Sequence, residues 1–117
     1  MSKLTQRSLP ALALALAAFI GYPAAAQQTG PAVITQYFGA GEAMNLCGTQ
    51  LTDAQEMRLS QLAQERGGSS VASGDMLALI QQARDSTRVR RFGLGGCNDP
   101  IVQERLNFFR TTIQPSM

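Results

Sequence analysis

Histidine and tryptophan are absent from the 117-residue sequence, and lysine occurs once, at Lys3. Histidine is the commonest general base and metal ligand, and it is the usual partner of a nucleophilic serine or cysteine. Beyond Lys3 no lysine remains for a Schiff base or for holding a phosphate. We therefore expect a protein that is not an enzyme and has neither a cofactor nor a metal site.

Catalysis would have to rest on carboxylates. The candidates are Glu42, Asp53, Glu56, Asp75 and Glu104. Scattered carboxylates are usually solvated, cap helices or pair with arginine. The glycine-rich segment 93–96 follows no predicted strand and lacks the Lys-Ser/Thr of a phosphate-binding loop. A small carboxylate-based enzyme is thus the least favoured of three functional hypotheses.

The first 26 positions show the three-part pattern of a secretory signal peptide. They contain the basic residues Lys3 and Arg7, the apolar segment 11–20 and the small residues Ala24 and Ala26. A membrane-spanning helix needs about 20 apolar residues, more than this segment offers. We expect cleavage before Gln27 and a periplasmic or secreted product with no membrane span.

Removing 26 of the 117 residues leaves 91, enough for one small domain and too few for two. The formal net charge of +2 comes entirely from Lys3 and Arg7, so residues 27–117 are formally neutral. A balanced charge is a poor fit to nucleic-acid binding, which depends on a basic surface. The expected domain organisation is a signal peptide, 1–26, followed by a single helical domain, 27–117.

Cys47 and Cys97 are the only cysteines. Oxidising compartments allow such pairs to persist as disulfides, so an exported chain predicts a Cys47–Cys97 bridge. The pair lacks the Cys-x-x-Cys spacing that lowers a thiol pKa, and a metal site would need further ligands. The bridge is therefore expected to be structural.

Apolar residues at helical spacing predict a first helix from Pro31 to the stop at Gly48. Its inner stripe is Val33, Tyr37, Ala40, Met44 and Cys47, widened by Ile34 and Phe38. Gly39 and Gly41 either weaken this helix or mark the close approach of another. The segment Thr52-Asp53-Ala54-Gln55 matches a capping box, so a second helix should begin there and end at Gly67-Gly68.

A third helix is predicted to start with Ser73 as its cap and Asp75 in its first turn. Its inner side would be Met76, Leu79, Ile80, Ala83 and Thr87. Asn98-Asp99-Pro100 predicts the start of a fourth helix, with Pro115 at its end. The fourth stripe is Val102, Leu106, Phe109 and Ile113. The predicted fold is all-α, a small bundle of three to four short helices stapled by one disulfide.

Aromatic residues concentrate where the bridge would join the first and fourth helices. They are Tyr37, Phe38, Phe108 and Phe109, with Phe92 just upstream of Cys97. We expect the best-packed part of the core there. Phe108 lies beside the main stripe of the fourth helix, so it either widens the core face, the simpler interpretation, or stands at the surface as an anchor.

Arg84, Arg88 and Arg91 share one face of the third helix. Such a row suits a solvated helix C-terminus, which the macrodipole favours, and it also suits an acidic partner. With an exposed Phe108 and Arg105 it would form an aromatic and arginine patch of the kind enriched at protein interfaces. These five residues are the candidate partner-binding residues.

Cys47, Cys97 and the helical pattern give the chain an architecture similar to the HdeA-like acid-stress chaperones of the bacterial periplasm. It departs from that family in having no aromatic residue directly before Cys47 and no lysine-rich composition. The resemblance implies a stress chaperone that exposes apolar surface in acid. The preferred hypothesis is a non-catalytic binding or accessory protein that docks on a larger protein of the cell envelope.

Overall fold

A computed structural model describes residues 29–117, so the signal peptide predicted for residues 1–26 lies outside the described residues. Four α-helices and no strand occur in the described range. The helices are α1, Gly30–Cys47; α2, Asp53–Glu65; α3, Ser73–Arg91; and α4, Pro100–Phe108. Short helical turns follow at Gly68–Ser70, Gly96–Asn98, Phe109–Ile113 and Gln114–Ser116. The predicted all-α bundle is confirmed.

Side chains at three helix starts satisfy the backbone N–H groups that a helix leaves unpaired. Thr29 accepts a hydrogen bond from the Ala32 amide at the start of α1. The capping box of α2 is present in both directions, with Thr52 Oγ1 accepting from the Gln55 amide and Gln55 Oε1 accepting from the Thr52 amide. Asp99 caps α4, as its Oδ1 lies 2.8 Å from the Ile101 amide nitrogen.

The predicted cap of α3 is wrong by one residue. Ala72 has the extended backbone of an N-cap, whereas Ser73 is already the first helical residue and makes no capping hydrogen bond. The start of α3 therefore has no side-chain cap. Asp75 does lie in the first turn, where a negative charge is favoured by the helix dipole.

α1 is the central helix of the bundle and contacts α2, α3 and α4. Its middle is buried on every side. The buried residues are Val33, Ile34, Tyr37, Phe38, Gly39, Ala40, Gly41, Glu42, Ala43 and Met44. An inner stripe was predicted correctly, but a helix surrounded by three others buries the opposite side as well. Glu42 is thereby drawn into the interior.

Small residues in α1 allow its neighbours to approach. A Cβ atom on Gly41 would lie 2.6 Å from Cδ2 of Leu59 in α2. A Cβ atom on Gly39 would lie 3.4 Å from the guanidinium of Arg105 in α4. Of the two interpretations of these glycines, close approach of another helix is the one that holds at Gly41.

The other three helices each contribute a buried face. α2 provides Leu59, Leu62 and Ala63, α3 provides Ala83 and Thr87, and α4 with its π-helical turn provides Val102, Leu106, Phe109 and Ile113. Met76, Leu79 and Ile80 of α3 are half-buried against this core. The predicted inner stripes are therefore confirmed, although that of α3 is shallower towards its N-terminus.

The Cys47–Cys97 disulfide is present, with the two Cα atoms 5.7 Å apart. It joins the last residue of α1 to the short turn that precedes α4. The disulfide therefore fixes this turn to the C-terminal end of the central helix. No helix within residues 29–117 has the length and apolar character needed to cross a membrane.

Candidate functional site

Arginines make many of the polar contacts between elements. Arg58 donates to the backbone oxygen of Ser116 from Nη2 (3.1 Å), and Arg66 donates to the Ser116 hydroxyl (2.7 Å) and to the Tyr37 hydroxyl (3.0 Å). The bonds to Ser116 hold the C-terminal turn against the α2 region, and the bond to Tyr37 joins the end of α2 to α1. Nη1 of Arg90 lies 3.8 Å from Oδ2 of Asp99, which caps α4.

The five candidate partner-binding residues make four separate sets of contacts. Arg84 and Arg88 face Glu42 of α1, while Arg105 reaches across from α4 to α3. Arg91 lies over the ring of Phe92, 5.5 Å from its centroid. Phe108 packs edge-on against Tyr37, with the ring centroids 5.4 Å apart.

Arg84 and Arg88 balance a carboxylate in the core. Glu42 is 6% exposed, and its Oε2 accepts a hydrogen bond of 2.7 Å from Nε of Arg88. This hydrogen bond, together with the charge of Glu42, raises the pKa of Arg88 above its ordinary value. Nε of Arg84 lies 4.0 Å from Glu42 Oε1, and its Nη2 lies 3.9 Å from Glu56 Oε1. These arginines thus join α3 to both α1 and α2.

Arg105 forms a second polar contact between helices. Its Nη1 donates to the hydroxyls of Thr87 and Ser86, the latter at 3.2 Å. The Thr87 side chain is completely buried, and its hydroxyl lies 3.0 Å from the carbonyl oxygen of Ala83. Burial of the guanidinium lowers the pKa of Arg105. Sequence periodicity placed Thr87 inside but gave no sign of this arginine partner.

A groove runs between α1 and α4, and we call it the Arg105 groove. Its lining residues are Thr35, Gln36, Glu104, Arg105 and Phe108. Phe108 is half-buried, so it both widens the core face and presents part of its ring to this groove. A second groove is lined by Met44, Thr49, Leu51, Gln55, Phe109 and Gln114. Neither groove is lined by two carboxylates.

Three exposed apolar side chains lie at the C-terminal end of α3 and in the residues just after it, and we call them the apolar tip: Val89, Phe92 and Leu94. Val89 and Phe92 are 72% and 73% exposed, and Leu94 is fully exposed. The prediction that Phe92 belongs with the best-packed core is wrong. Phe92 lies about 140° around the helix axis from buried Thr87, on the outer side of α3.

The guanidinium of Arg91 lies over the ring of Phe92, which belongs to the apolar tip. Its Nε is the one buried side-chain nitrogen or oxygen in residues 29–117 that lacks a hydrogen-bond partner.

The described residues contain no group of three or more Asp, Glu, Cys or His side chains able to hold a metal ion. No protein-family model, curated protein or solved structure matches the chain.

Proposed function

We propose that this chain is a small, non-catalytic binding protein of the periplasm or extracellular space that docks on a larger envelope protein through the apolar tip. Three large apolar side chains exposed within six residues carry the proposal. Exposed apolar side chains that are clustered on a soluble protein often mark an interaction site. Aromatic residues and arginine, represented here by Phe92 and Arg91, are also enriched at protein interfaces.

Hydrogen bonds and the disulfide hold the backbone in place on both sides of the apolar tip, as expected for a preformed binding surface. The Phe92 amide donates to the Arg88 carbonyl (2.9 Å), and the Gly96 amide donates to the Gly93 carbonyl (3.2 Å). Cys97 then fixes the segment to α1 through the disulfide. A surface that is already ordered loses less conformational entropy when a partner binds.

The disulfide also bears on the compartment. Structural disulfides are common in exported proteins and rare in the reducing cytosol, so the bridge is consistent with an oxidising, extracellular environment. Export by the N-terminal signal would deliver the chain to such a compartment. The periplasmic or secreted location is part of the proposal.

The apolar tip can be tested with a pair of matched substitutions. Leu94→Asp changes the tip, whereas Leu77→Asp places the same charge near the N-terminal end of α3, on a leucine that is 73% exposed. Neither side chain is in the core, so both variants should keep the unfolding midpoint of the native protein. Each is expressed as the full chain in its source cells and purified from the envelope by affinity.

The expected result is a partner that co-purifies with the native chain and with Leu77→Asp and is lost with Leu94→Asp. Retention of the same partner by Leu94→Asp would contradict docking through the apolar tip. An empty purification of the native chain in both buffer and mild detergent would contradict the binding function itself.

Buried Glu42 favours a second candidate, an acid-stress chaperone. The ion pairs that join α3 to α1 and α2 require charged carboxylates, and acid removes that charge. This candidate predicts partial unfolding and binding of an apolar dye at about pH 2 to 3. A fixed fold with no dye binding there would eliminate it.

A further inference from the structure

The Arg105 groove contains a half-buried guanidinium that forms no salt bridge with any carboxylate of residues 29–117. The ion pairs of the described residues involve Arg58, Arg84, Arg88 and Arg90. Arg105 instead contacts two neutral hydroxyls. Its lowered pKa reflects burial that disfavours the charged form. A half-buried guanidinium without a salt-bridge partner can take up an anion supplied by a ligand.

Arg105 retains hydrogen-bonding capacity towards such an anion. Its hydrogen bonds to the Ser86 and Thr87 hydroxyls both leave from Nη1. Arg91 Nε is the one side-chain nitrogen or oxygen of residues 29–117 that is buried and has no hydrogen-bond partner. Nε and Nη2 of Arg105 are therefore not buried without a partner. Two N–H groups on one side of a guanidinium match the two oxygens of a carboxylate.

The other groove residues narrow the chemistry of the ligand. The ring of Phe108 offers apolar surface beside the guanidinium. Glu104 also lines the groove, and its charge is felt by Arg105. A negative charge at that position repels a dianionic phosphate more strongly than a monoanion. An apolar ligand with a single negative charge therefore fits best.

We propose that the Arg105 groove binds a small monocarboxylate, with its carboxylate on Arg105 and its apolar chain against Phe108. This site is formed by α1 and α4 and involves none of the residues of the apolar tip. Carboxylate binding in this groove can therefore be tested independently of docking on a protein partner.

The proposal is tested by nuclear magnetic resonance titration of the oxidised full-length protein with 4-phenylbutyrate. We expect saturable shifts of the amides of Thr35, Glu104 and Phe108. The neutral analogue 4-phenylbutanol and inorganic phosphate should cause no saturable shift at these amides. Absence of saturation with the carboxylate, or equal binding of the alcohol, would overturn the proposal.

Two variants and one control show whether the groove residues act as proposed. Arg105→Gln should weaken carboxylate binding at least about tenfold, which corresponds to about 1.4 kcal/mol. Arg110→Gln removes an exposed arginine of the following turn that does not line the groove, so it should leave the affinity unchanged.

Because Arg105→Gln also removes a contact with Thr87, Glu104→Gln provides an independent test on an exposed residue. Removing the repelling charge should tighten carboxylate binding several-fold and allow weak phosphate binding. An affinity for 4-phenylbutyrate that is unchanged in Glu104→Gln, or equally reduced in Arg110→Gln, would count against the site.

Discussion

Nε of Arg88 in α3 donates a 2.7 Å hydrogen bond to Oε2 of Glu42, which is 6% exposed in the middle of the central helix α1. A buried carboxylate is costly unless it is paired and hydrogen-bonded. Packing alone does not explain Glu42, because an apolar residue of similar size at a buried position often stabilises the fold as much or more. Its position opposite Arg84 and Arg88 favours one alignment of α3 along α1.

Glu42→Gln should lower the free energy of unfolding by about 1 to 2 kcal/mol, because it exchanges a charge-assisted hydrogen bond for a neutral one of the same shape. The matched control is Glu65→Gln, which removes a carboxylate that is paired with Arg58 at 3.6 Å on the surface. That change should cost about 0.5 kcal/mol or less. Urea unfolding of the three proteins at neutral pH measures the difference, and equal costs would contradict a structural role for the buried pair.

The effect of Glu42→Gln should depend on pH in one direction. The pKa of Arg88 is raised by Glu42, so Arg88 binds its proton more tightly when folded, and its contribution is lost only as the pH rises through that raised value. The stability difference between the native protein and Glu42→Gln should thus be the same at about pH 7 and pH 10. Closure of the gap already at about pH 10 would refute this assignment.

Reducing the Cys47–Cys97 bridge should lower the free energy of unfolding by about 4 kcal/mol, the chain-entropy value for the 50-residue separation of the two cysteines. Since small domains are marginally stable, the reduced protein should melt at a much lower temperature. Thermal unfolding of oxidised, reduced and Cys47→Ala/Cys97→Ala protein checks this. Equal unfolding midpoints for the oxidised and reduced forms would contradict a staple.

Two Gly→Ala substitutions should have opposite effects. A Cβ atom on Gly68 would lie 2.6 Å from Ile34 Cδ1 and 2.8 Å from the backbone oxygen of Ala63, so Gly68→Ala should cost about 1 to 3 kcal/mol. Gly74, in the first turn of α3, has no atom within 4 Å of that position, and Gly74→Ala should stabilise by about 0.4 to 1 kcal/mol. Thermal unfolding measures both, and destabilisation of equal size would show that close packing is not the cause.

The helices could largely be predicted because their start signals are local. The Thr52 capping box and the Asp99-Pro100 start both act within three residues of the helix end, and the apolar stripes follow helical spacing. The predicted cap at Ser73 was wrong by one residue, because Ala72 adopts the extended backbone of the N-cap and Ser73 is already helical. Helical spacing also identified one inner face of α1 and could not show that three neighbours would enclose it.

The polar contacts were beyond prediction because their partners are distant in the sequence. Arg84 and Arg88 looked like a row on the surface, and only packing of α3 against α1 brings Glu42 to them. The signal that was available is the run of small residues around Glu42, from Gly39 to Ala43, which permits close neighbours on every side. The exposure of Phe92 could not be predicted either, because it depends on the residue at which α3 ends.

Site-specific photo-crosslinking tests docking through the apolar tip most directly. A photoreactive phenylalanine analogue replaces Leu94 in one version of the full chain and Leu77 in the other, and the cells are irradiated before the envelope is opened. Docking through the tip predicts one discrete crosslinked protein band from position 94 and none from position 77. Identical bands from the two positions, or no crosslink from position 94, would contradict it.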